Sequence, residues 1–102
     1  MATYTSKVLY RGAASTTVTT TLYTVPSATT TVVTEIMVAN TAASSGTYTI
    51  YLNGTIIANT ITIAANDTVV IPCKQVLAAT NTIQGGASAT TINISISGVE
   101  IS

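Results

Sequence analysis

Thr47-Tyr48-Thr49-Ile50-Tyr51-Leu52-Asn53-Gly54, continued by Thr55-Ile56-Ile57, decides the fold class of this chain. Tyr48, Ile50 and Leu52 alternate with Thr47, Thr49 and Tyr51, which is the period-2 pattern of a strand with one face buried. Asn53-Gly54 then supplies the two residues that best tolerate positive φ at both central positions of a type I′ turn. Residues 47–63 therefore read as a β-hairpin whose second arm places Ile57, Ile61 and Ile63 on one face.

The same alternation extends in both directions. Upstream, Val18, Thr20 and Leu22 alternate with Thr17, Thr19, Thr21 and Tyr23 until Val25-Pro26-Ser27-Ala28 ends the run, because proline cannot donate to a ladder. A long strand follows, with Val32, Thr34, Ile36 and Val38 on one face and Thr31, Val33, Glu35 and Met37 on the other. Thr41-Ala-Ala-Ser-Ser-Gly46 is a loop. Downstream, Ala64–Asp67 makes a turn, Thr68–Pro72 and Asn81–Gln84 read as short strands, and Gly85-Gly86 opens a loop through Ala89. Cys73–Thr80 fits either a helical turn or an extended piece that places Val76 and Leu77 in the core. The last strand sets Ile92, Ile94 and Ile96 against Thr91, Asn93 and Ser95, and a β-bulge at Gly98 would bring Val99 and Ile101 back inward. About eight strands at short spacing predict an all-β fold, an antiparallel β-sandwich of jelly-roll or immunoglobulin-like type. Residues 1–15 form an N-terminal arm or edge strand, and residues 16–102 the sandwich domain.

Composition agrees with strands. Thr fills 23 of the 102 positions, Ile and Val 22 between them, and Leu only four. These β-branched residues suit a pleated surface, and the length is that of one domain. Lys7, Arg11 and Lys74 balance Glu35, Asp67 and Glu100, so the net charge is zero. Three scattered cations make no basic stripe for nucleic acid, and polar residues interrupt every apolar run before it reaches the length of a membrane span. The first residues lack the apolar region of a signal peptide, so folding is expected in the cytoplasm where the chain is made. A Thr-rich surface without net charge has little repulsion to keep copies apart, which suits a protein attached to something large.

The chemistry available is narrow. Without histidine there is no Ser-His-Asp, Cys-His or His-ligated zinc arrangement. Glu35 and Glu100 as strand neighbours would offer the carboxylate pair of glycoside hydrolysis, but the chain has no Trp or Phe to line a sugar cleft. Asn66-Asp67 reads as turn chemistry rather than a calcium ligand. Lys74 beside Cys73 would lower the thiol pKa, although a small buried residue is the simpler reading. No enzyme activity, cofactor or metal is expected.

One pattern goes beyond composition. Leu22-Tyr-Thr-Val-Pro-Ser-Ala-Thr-Thr30, Val33-Thr-Glu-Ile-Met-Val-Ala-Asn-Thr41, Ala65-Asn-Asp-Thr68, Val76-Leu-Ala-Ala79 and Ile96-Ser-Gly-Val-Glu-Ile101 follow one another in that order. In order and spacing they resemble a family of small virion proteins and fibre-associated modules of tailed bacteriophages. The resemblance spans about residues 20–102 and departs at Asn81, where the family often has Asp. It implies a structural component of the particle. The leading expectation is a capsid cement (decoration) protein, trimeric, located in the virion, that binds the major capsid protein or another virion protein and stabilises the head shell. The alternative is a tail-tip or fibre-associated module binding host-surface carbohydrate, which needs exposed rings for sugars to stack on. A small cytoplasmic protein with no particle role is a third class, against which the scarcity of charge argues. Tyr4, Lys7, Tyr10 and Arg11 are the candidate partner-binding residues. Lys7 and Arg11, four apart, are expected to share one face of an extended arm and meet an acidic patch. That arm is expected to add to a sheet edge or reach onto a neighbouring subunit.

Overall fold

Stiff β-branched side chains and closely spaced turn residues leave the chain little choice but strands, and the computed structural model, which describes residues 3–102, contains no helix among them. The strands are β1 (Tyr4–Ala13), β2 (Thr21–Thr24), β3 (Thr30–Asn40), β4 (Gly46–Leu52), β5 (Thr55–Ile63), β6 (Thr68–Leu77), β7 (Thr82–Ala87) and β8 (Ile92–Ile101). They pair antiparallel in two four-stranded sheets, sheet A in the order β1-β8-β3-β6 and sheet B in the order β2-β7-β4-β5. Only the β4–β5 connection stays within one sheet; every other connection crosses to the opposite one. This is the jelly-roll arrangement, not the immunoglobulin one.

The core between the sheets is built largely from isoleucine. Ile36, Ile50, Ile63, Ile83, Ile92, Ile94 and Ile96 are all less than 2% exposed, with Val25, Val33 and Val38 beside them. Each such side chain contributes about 1.5–3 kcal/mol relative to exposure. Asn40 is buried with them, and its carboxamide is fully used. Nδ2 donates to the carbonyls of Ser44, Ile63 and Ala64, and Oδ1 accepts from the Ala42 N–H at 3.0 Å. The β3–β4 loop is thereby tied to the β5–β6 turn.

Asn53 and Gly54 have φ of 49° and 81°, so the predicted type I′ turn closes the β4–β5 hairpin. Other expectations need correction. Residues 16–19 form bends and a turn, with the Thr20 N–H donating to the Thr17 carbonyl, and β2 begins only at Thr21. In this segment the Ser15 and Thr20 carbonyls accept from the amides of Ala87 and Gly85, so it lies across β7 instead of forming a longer β2. Gly85-Gly86 is accordingly inside β7, not in a loop: a Cβ on Gly86 would stand 2.5 Å from the Ser15 carbonyl oxygen. In the hairpin, Ile63 is buried but Ile57 and Ile61 are exposed. Strand β5 carries extra residues at Ile57 and at Asn59-Thr60, where Thr60 has φ of 50° and donates its N–H to Thr49 Oγ1. Strand β6 runs unbroken past Pro72, as an edge strand permits, and ends with Leu77 in the core and Val76 67% exposed.

The phase changes centre on Gly98. Strand β8 is itself regular, with Ile92, Ile94, Ile96, Gly98 and Glu100 inward and Val99 and Ile101 outward. The extra residues lie in its neighbours, Leu9 in β1 and Thr34 in β3. Thr34 therefore shifts the face of β3, so that Thr31 and Val33 are buried with Ile36 and Val38. Leu9 is 8% exposed and closes the core over Gly98.

Candidate partner-binding face

Strand β1 carries all four candidate residues and pairs along its length with β8 as one edge of sheet A. Met1 and Ala2, at the start of the expected arm, lie outside the described residues. Register separates the four. Lys7 is opposite Gly98, an inward position, whereas Arg11 is opposite Ser95, an outward one. The expectation that Lys7 and Arg11 share a face is therefore wrong, because the extra residue at Leu9 changes the phase between them. Tyr10 is half-buried and donates its hydroxyl to the Ala13 carbonyl at 2.8 Å. Tyr4 is 70% exposed.

Lys7 is already engaged. Its ammonium lies 3.4 Å from Glu100, the one ion pair among the described residues. Glu100 projects between the sheets, where the Tyr23 hydroxyl donates to it at 2.5 Å. With the tyrosine proton so committed, the buried Thr31 hydroxyl donates to the Tyr23 oxygen at 2.9 Å. Burial first, then the bond to Glu100, push the Tyr23 pKa up to about 12. This network closes one end of the sandwich and binds β1, β2, β3 and β8 together.

Glu35 stands opposite Ser97 on the outer face of sheet A, so the two glutamates point to opposite sides of the sheet and form no catalytic pair. The thiol of Cys73 is half-buried, and burial, followed by the charge of Glu35, pushes its pKa up. The lowering expected from Lys74 is absent, so the thiol is not activated. No group of three acidic, Cys or His side chains converges among the described residues.

What remains is the outer face of sheet A. Arg11, Glu35, Met37 and Ser95 line an open trough of about 560 Å³ there. Val8, Met37, Val70 and Val76 are exposed on the same face, around Val32 and Val99. Arg11 donates through Nε to Ser95 Oγ at 3.1 Å, and neither Arg11 nor Glu35 has an ion-pair partner among the described residues. Val8, Glu35 and Met37 were not among the sequence candidates. Alternation alone puts Glu35 and Met37 on one face, but only the phase change at Leu9 brings Val8 and Arg11 onto one face of β1.

The chain matches no protein-family model and no curated protein.

Proposed function

We propose that this protein is a structural component of a tailed-bacteriophage particle, a capsid cement protein that binds the major capsid protein and stabilises the head shell as a homo-oligomer. One observation carries the reading: segments that resemble the phage virion family, far apart in sequence, touch in the fold. Tyr23, from the Leu22–Thr30 segment, donates to Glu100, from the Ile96–Ile101 segment, and Thr31 joins them. Asn40, from the Val33–Thr41 segment, donates its backbone N–H to the Asp67 carbonyl of the Ala65–Thr68 turn at 2.8 Å. These contacts give the segments of the pattern a shared structural role, holding one end of the sandwich and its loops together. The carbohydrate-binding alternative is less favoured, because Tyr4 is the one widely exposed tyrosine and no aromatic residue lines the trough.

Fold alone assigns no role, so the test is on particles. Quantitative mass spectrometry of purified particles from a phage encoding the chain is expected to find it at a copy number comparable with the major capsid protein. Recombinant protein is expected to bind particles that lack it and to raise their disruption temperature. A copy number of a few per particle would move it to the tail, and absence from particles would end the reading.

A further inference from the structure

We infer that the outer face of sheet A is a self-complementary interface on which a second copy of this chain docks about a two-fold axis. Four side chains stand at the corners of one cell of the sheet: Val8 and Arg11 on β1, Glu35 and Met37 on β3, with Ser97 and Ser95 of β8 between them. The register places Val8, Ser97 and Glu35 in one row and Arg11, Ser95 and Met37 in the next. Charge thus occupies one diagonal and apolar surface the other. Strand spacing and rise put Arg11 and Glu35 roughly 12 Å apart at Cα, so they do not neutralise each other within a copy.

A two-fold axis lying in the interface along the Val8–Met37 diagonal exchanges Arg11 with Glu35. Each arginine then faces the partner's glutamate, twice per dimer, while Val8 and Met37 lie near the axis against their own counterparts. An isologous interface has this self-complementarity. The small serines beneath the axis let the two faces approach, and Met37 enters the trough. Strands of the two copies cross steeply, as in orthogonal sheet packing. The molecule measures 49 × 21 × 18 Å, so the overlap is about one sheet width square. That is on the order of 400 Å² of footprint per copy, about half of what a standard specific interface buries. The dimer is therefore weak and transient, and it takes the place of the trimer expected from the sequence. It is a property of the free protein and does not depend on the particle reading.

Sedimentation equilibrium of the full chain over micromolar to submillimolar concentrations tests it. The wild type is expected to be in monomer–dimer equilibrium, weakened by salt. Arg11→Glu and Glu35→Arg, each placing like charges together, are expected to weaken the dimer roughly 100-fold or more, and the double exchange to restore it. Circular dichroism melting checks that each variant is folded, and the two single variants are independent should one fail. In a Cys73→Ser background, Met37→Cys is expected to cross-link to its own counterpart with a short bis-maleimide. A monomer at every concentration, a trimer, single reversals that leave the dimer intact, or a double exchange that fails to restore it would each overturn the inference.

Discussion

Tyr23 donates its proton to Glu100 across the gap between the sheets, and its pKa is held near 12 by that environment. Its folded value lies above the ordinary value of 10.0. The stability linked to its neutral form is therefore fully present below pH 10 and is lost as pH rises towards 12. Tyr23→Phe removes the donor and is expected to cost about 1–3 kcal/mol at neutral pH. The gap in melting temperature between the wild type and this variant should then narrow above pH 10. A gap that stays constant from pH 8 to pH 11 would contradict the assignment. The inward position of Glu100 was legible in the sequence, since continuing the phase of Ile92, Ile94 and Ile96 leads through Gly98 to Glu100. Preferring apolar Val99 and Ile101 for the core hid it. A carboxylate is acceptable there only because Tyr23 and Lys7 meet it, and partners so distant in sequence leave no local mark.

At the scale of elements, local signals could be read and neighbour-dependent ones could not. The β4–β5 hairpin was legible because Asn53-Gly54 carries its turn in two adjacent residues. The segment before β2 misled because Thr stands on both of its phases, so alternation there says nothing about burial. The bulges of β1 and β3 were invisible because each is defined against β8. Their joint requirement falls on Gly98. A Cβ there would lie 2.5 Å from the Val32 carbonyl oxygen and 2.9 Å from Leu9 Cδ1. Backbone contributes one of these contacts, so the site relaxes poorly. Gly98→Ala is expected to cost about 1–3 kcal/mol, read as a fall in Tm of roughly 5–20 °C. The cost of Gly98→Ala should be smaller when measured in a Leu9→Ala background than in the wild type, because the second contact is then already gone, and a Gly98→Ala protein melting with the wild type would show that the strands do not bulge onto this position.

For the molecule as a whole, alternation and composition led to a β-sandwich but left jelly-roll and immunoglobulin-like orders open. Period-2 patterns say which residues are buried, not which strands pair. The pairing found has β8 in the middle of sheet A, between β1 and β3. Contacts between the first strand and the last make folding slow, with refolding expected in milliseconds to seconds or longer. Stopped-flow tyrosine fluorescence would measure it, and microsecond refolding would contradict it. A chain ending at residue 91 is expected to show no cooperative melting. On a ribosome the amino end emerges first, at about 5–20 residues per second. β1 and β3 must then wait, side by side with a gap between them, until the strand that fills it leaves the exit tunnel. Nascent chains of this protein therefore carry open sheet edges until β8 has left the tunnel, and the sandwich closes only then.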